Sequence, residues 1–294
     1  MPRPLRLQLA GAHYLVTARG QPPTNLFPNP QDSLLFVELL GRSCVRYHWR
    51  CHAWCLTSDY YQLVIATETA NLATGMRHLN SVYSQACRRR YRSRGGLFEG
   101  RYESRLIDPE RYLGDAVSGV LRAPVSLGLV GRACDWPWSS YRATTGTSES
   151  PPWLASDDVL AHFAGERHTA LRALMAAVER EPAADDDGQP QTIARCLADA
   201  AFMARILEHA AQAADEALAP RLMRLSRPPL RELCTAHPLR RDAMRAAFRL
   251  GYTQKEIARY FNVHTATVSR AVSAAAERVA LAPLLHATAR HAAD

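Results

Sequence analysis

The order of hydrophobic periodicities in the first 145 residues limits this chain more than any other feature. Residues 13–18 (HYLVTA) form a strand-like run of aromatic and β-branched side chains that stops at Arg19-Gly20. Residues 30–46 switch to helical spacing, with Leu34, Leu35, Val37, Leu39, Leu40 and Val45 apolar and Asp32-Ser33 at the opening. Two more strands are predicted at 47–56 and 61–67, separated by the polar turn Thr57-Ser58-Asp59. A second amphipathic helix covers 71–91, with Leu72, Met76, Leu79, Tyr83 and Cys87 on one stripe. A fourth strand at 102–107 and a third helix at 109–121 complete the series. Strand, helix, two strands, helix, strand is the split β-α-β order of a ferredoxin-like α+β domain.

The rest of the chain has a different texture. A Thr/Ser/Gly/Pro stretch ending at Pro152 marks a boundary, so the first domain is placed at 1–145. A short helical segment and the acidic stretch 181–190 (EPAADDDGQP) fill 146–190 as a linker region. From 191 to 294 the sequence is rich in alanine and leucine without a strand signal, which predicts an all-α domain. The 294 residues suffice for two domains, and 47% hydrophobic with 22% charged residues is a globular composition. No apolar run nears the roughly 20 residues of a membrane span. The start lacks a leader-like apolar stretch, so the expected address is the cytoplasm.

The seven cysteines are scattered. Cys51 and Cys55 have no second pair to complete a zinc site, and their spacing along a strand puts both on one face as buried free thiols. His48 and His52 share strand parity but lie roughly 13 Å apart, too far for one metal. His13 and His78 are read as ordinary histidines. No cofactor is expected.

Net charge is +8, carried almost wholly by arginine, which suits a polyanionic partner. Two segments concentrate that expectation. In residues 251–270 (GYTQKEIARYFNVHTATVSR), Thr253 and Glu256 are spaced as a capping box. Ala258 is small enough for two helices to cross, and Asn262 tolerates the left-handed backbone of a tight turn. Ile257, Val263, Val268 and Val272 fill a small core. His264, Thr265, Ala266, Thr267 and Arg270 are left facing outward, where short polar side chains reach base edges and Arg270 a phosphate or guanine. This is a helix-turn-helix pattern at about 251–273, with its second helix as the major-groove element. The second segment holds Arg88, Arg89, Arg90, Arg92, Arg94 and Arg101, interleaved with Tyr91, Phe98 and Tyr102. Between residues 86 and 105 there are seven arginines and two glutamates. Arginines neutralise phosphates, and the aromatic rings stack on unpaired bases.

Beyond these segments, residues 11–20, the strand at 49–56, the helix at 71–80, and residues 96–102 and 136–143 resemble the single-tyrosine HUH transposases. The likeness is to their REP-associated tyrosine transposase branch, some of which carry a C-terminal helix-turn-helix. It runs from about residue 1 to 275. The resemblance implies a ferredoxin-like N-terminal domain that recognises hairpin single-stranded DNA, in a bacterial, nucleoid-associated protein, with a homodimer compatible. It also implies chemistry: two histidines flanking one hydrophobic residue hold a divalent metal, and a helical tyrosine attacks the DNA phosphorus. At the histidine positions this chain carries Tyr60 and Gln62, both poor ligands at neutral pH. The nucleophile position falls on Gly119, and Tyr112, about 10 Å away along the same helix face, is the fallback. The expectation is therefore a catalytically inactive DNA binder for hairpin and duplex, derived from a transposase. The alternative is an active transposase or nuclease with a rebuilt tyrosine and an Mg2+ or Mn2+ site. A third reading is a fold with no role of its own.

Overall fold

The computed structural model describes residues 8–23, 25–92, 95–180, 196–197, 202, 205–206, 230–250 and 252–276. Contacts divide the chain into two compact units, 1–202 and 203–294.

The first unit opens with β1 (Ala12–Arg19), α1 (Pro30–Tyr47), β2 (Trp49–Leu56), β3 (Tyr60–Thr67), α2 (Leu72–Tyr91) and β4 (Glu103–Ile107). The four strands pair antiparallel in the order β2-β3-β1-β4, the ferredoxin-like arrangement the sequence predicts. The β2–β3 hairpin closes on Thr57, whose backbone N–H donates to Tyr60 at 2.9 Å and whose hydroxyl accepts from the Tyr60 N–H at 3.2 Å. All eight residues of β3 are buried because this central strand is covered on both faces, so it shows no polar alternation.

On one face, α1 and α2 enclose Phe36, Tyr61 and Tyr83. The Phe36 ring lies 4.6 Å from Tyr61 and 5.1 Å from Tyr83, and Tyr61 donates to Asn80 at 2.6 Å. The stripe Leu72, Met76, Leu79, Tyr83 and Cys87 is buried as expected. The cap of α1 is Asn29, whose side chain accepts from the Asp32 N–H at 3.0 Å, with Pro30 beginning the helix. Asp32 and Ser33, expected at the opening, instead lie buried within the first turn.

The opposite face is covered by α3 (Pro109–Ser126), α5 (Ser156–Phe163) and α6 (Arg167–Glu179), with the short α4 (Tyr141–Thr145) between. Ala53, Cys55, Val64 and Ile107 of the sheet share a core with Val117, Leu121, Val159, Leu160, Leu174 and Val178. α3 runs past Pro124 to Ser126, beyond the expected stop at 121, because a proline near a helix end removes a single bond from a buried turn. The helices expected as a separate segment in 146–190 are thus part of the first core. The chain leading into them also seals the β2 edge: Cys51 bridges Leu154, the Ala155 N–H donates to Cys51 at 2.7 Å, and Cys55 bridges Ser139. The acidic stretch 181–190 lies outside the described residues.

Two strand details depart from expectation. Cys196–Leu197 forms β5, parallel to Leu106–Ile107, inside the region expected to be wholly helical. Two residues are too few to carry a period, and the open edge of β4 decides them. A bulge between Cys51 and Ala53 shifts the register of β2, so Cys51 faces Ile65 while Cys55 faces Gln62. These partners are on opposite faces of β3, so the two buried free thiols do not share one side.

In the second unit, α7 (Leu230–Ala236), α8 (Arg240–Arg249), α9 (Gln254–Phe261) and α10 (Thr265–Ala276) close over Leu233, Met244, Ala247, Ile257, Ala258, Val268 and Ala271.

Candidate nucleic-acid interface

The arginine segment occupies the last turn of α2 and the chain that follows. Arg88, Arg89, Arg92 and Arg101 are exposed, and Arg92 ends the helix in the left-handed region at φ 50°. Arg94 lies outside the described residues. Arg90 is exposed too, and its guanidinium pairs with Asp32, a carboxylate with only 1% of its side chain exposed. Asp32 is also the main cause of the raised Arg90 pKa. Tyr91 donates its phenol to the same carboxylate and accepts from the Asn29 amide. Tyr102 is a correction, since at 5% exposure its ring is core rather than a platform for a base. The loop beyond is tied to the end of β1: Gly20 bridges Phe98, Gln21 donates to Leu97 at 2.9 Å, and Glu99 donates to Arg19 at 3.1 Å. Sequence reasoning missed Arg19, whose guanidinium lies 5.5 Å from the centre of the Tyr60 ring.

Tyr60 and Gln62 begin β3, pair with Arg19 and Thr17, and share one face by strand alternation. Both are buried, and the Tyr60 hydroxyl has no hydrogen-bond partner among the described residues. Burial raises its pKa, which disfavours the phenolate a metal would require. Gly119 is on α3, where an added Cβ would meet nothing within 4 Å. Tyr112 packs against the α3–α5–α6 core. Among the described residues no group of three or more His, Cys, Asp or Glu is arranged to hold a metal ion.

The histidines are arranged differently from their sequence pairing. His48 is the left-handed C-cap of α1. His52, re-aimed by the bulge, stacks on His13 with ring centroids 5.2 Å apart and 16° between planes. Neither ring nitrogen of His52 has a hydrogen-bond partner among the described residues. Burial, then the charges of His13, Arg50 and His162, push its pKa down to about 3. Parity along one strand does not reveal a neighbour across the sheet.

The second unit follows its local signals closely. The Thr253 N–H donates to the Glu256 carboxylate at 2.8 Å, and the Glu256 N–H donates to the Thr253 hydroxyl at 3.2 Å. Asn262 adopts φ 50°, and the following Val263 N–H returns to Ala258 at 2.9 Å. His264, Ala266, Thr267 and Arg270 are exposed and Thr265 is half-buried. His264 has an added task, because its Nδ1 accepts from the Ala266 N–H at 3.2 Å and caps α10. Two arginines invisible as clamps in the sequence brace this pair of helices. Arg240 donates to the Phe261 carbonyl, and Arg245 donates to the Ala271 carbonyl at 2.8 Å.

No family model matches the chain, and no curated protein matches it. Among solved structures it is similar to a REP-associated tyrosine transposase bound to a REP hairpin, with a TM-score of 0.44 and 14% sequence identity, covering 57% of this chain and 93% of that one.

Proposed function

We propose that the chain is a DNA-binding protein with two separate contact surfaces and no strand-cleaving activity. The observation that carries this reading is α9, the Asn262 turn and α10: a capped helix, a left-handed turn and a second helix presenting His264, Ala266, Thr267 and Arg270 to solvent. That arrangement fits a helix-turn-helix whose second helix enters the major groove of duplex DNA, with Arg270 reaching a guanine or a phosphate. The exposed Arg88, Arg89, Arg92 and Arg101 form the second surface. The resemblance of residues 1–275 to REP-associated transposases supports hairpin single-stranded DNA as its ligand.

Inactivity is supported by the chemistry at four positions. A buried phenol at Tyr60 and an amide at Gln62 offer no strong metal donor, Gly119 has no nucleophile, and Tyr112 is half-buried against the α3–α5–α6 core. Among the described residues no helix is long and apolar enough to cross a membrane, and a nucleoid location in a bacterial cytoplasm is part of the proposal. Two surfaces on one chain raise the effective concentration of each at a shared DNA site.

The test is incubation of the full chain with labelled hairpin and duplex DNA and manganese, analysed on native and denaturing gels. Binding of both DNAs without a cut strand or a covalent adduct is the expected result. A phosphotyrosine adduct overturns inactivity and directs attention to Tyr112. Absence of binding to either DNA removes the proposal altogether.

A further inference from the structure

The last turn of α2 is densely charged. Arg88, Arg89, Arg90 and Arg92 crowd like charges within five residues, the first three in the last helical turn and Arg92 as its C-cap. The turn then ends on Arg92 at φ 50°, a left-handed conformation that is uncommon for a residue other than Gly, Asn or Asp. The two residues before it are held from another helix. Asp32, in the first turn of α1, accepts from Arg90 and Tyr91, and Tyr91 also receives the Asn29 amide. Asn29 is the N-cap of α1, so the start of one helix clasps the end of the other.

From this clasp we infer that Asp32 is a positioning residue for DNA: by tying the exposed Arg90 and Tyr91 to the start of α1, it fixes the turn that carries Arg88, Arg89 and Arg92. The inference rests on the reading of those arginines as hairpin contacts. Burying a carboxylate is unfavourable unless a cation meets it, and Arg90 is that cation. Asp32 is not needed to join the two helices, since Phe27, Phe36 and Tyr83 already pack between them. What the carboxylate adds is the orientation of the terminal turn. Arginines ordered before binding lose less side-chain freedom on meeting phosphates.

A double-mutant cycle on the full chain separates positioning from general structure. Hairpin affinity is measured at one salt concentration for wild type, Asp32→Asn, R88A/R89A and the triple variant, with duplex affinity in parallel. Asp32→Asn is expected to weaken hairpin binding about tenfold in the wild-type background and less than about twofold in R88A/R89A, with duplex binding unchanged. Equal losses in both backgrounds overturn the inference, because Asp32 then acts by some other route. If R88A/R89A binds hairpin as tightly as wild type, the hairpin reading falls and this inference with it. Should Asp32→Asn fail to fold, Tyr91→Phe removes one bond to the carboxylate at an exposed residue, and the same non-additivity is required of it.

Discussion

The two candidate DNA surfaces both carry arginine, yet contacts of opposite range hold them. In α9 and α10 the devices that shape the turn are local, Thr253 with Glu256, the turn at Asn262, and His264 capping Ala266, with Arg240 and Arg245 added as braces from α8. At the end of α2 the deciding bond joins Asp32 to Arg90, 58 residues apart. The difference teaches which features of a basic segment can be trusted before folding is known. A capping box needs two residue types at a fixed spacing and works wherever the chain turns. Whether an arginine is free to meet a phosphate depends on what another helix places beside it.

The comparison is tested hardest by removing Arg88 and Arg89 together. Loss of two phosphate contacts is expected to weaken hairpin binding by about a hundredfold at low salt and to flatten the salt slope, since each contact releases counterions. Band shifts across a salt series check this. A matching loss on duplex DNA would show that the surfaces are not separate.

Acid should distinguish the two units next. His52 has a folded pKa near 3 against an ordinary 6.5, so below 6.5 the unfolded chain binds the extra proton and the folded chain does not. Stability of the first unit is therefore full above pH 6.5 and falls as pH drops toward 3, by up to about 1.4 kcal/mol per pH unit. Between pH 6.5 and 5 that amounts to about 2 kcal/mol. All five tryptophans lie in the first unit, so their fluorescence during denaturation reports it selectively. His52→Leu should remove this part of the slope, and an unchanged acid dependence would assign it to other groups.

Arg270→Ala carries the next effect, a loss of about tenfold in duplex affinity, the scale of one good base or phosphate contact. Hairpin binding should not change. If Arg270→Ala left duplex affinity intact, α10 would not be the reading helix. Thr253→Ala is the mildest change. Loss of the cap should cost about 1 kcal/mol of second-unit stability, measured by helical circular dichroism of the full chain. No effect would mean that the clamps from Arg240 and Arg245, rather than the local cap, hold the pair.

Much of this protein was legible in one dimension because the signals are periodic or local. Short runs of β-branched and aromatic residues placed β1 to β4 and helical spacings placed α1 to α3, since a buried strand selects such residues and burial of one helix face imposes a period of 3.6. The turn at Asn262, its capping box and the core of Ile257, Val263, Val268 and Val272 were equally readable. Tertiary structure decided the rest. One bulged residue in β2 separated Cys51 from Cys55 and turned His52 onto His13, because a single insertion reverses every later side chain. Helices α5 and α6 joined the first core because α3 and the sheet offered an uncovered apolar face. Arg90 was drawn to Asp32, and Tyr102 was buried, by partners distant in sequence. Residue identity and spacing determine which elements form; which of their side chains remain available to a ligand is set only when distant elements meet and bury some of them.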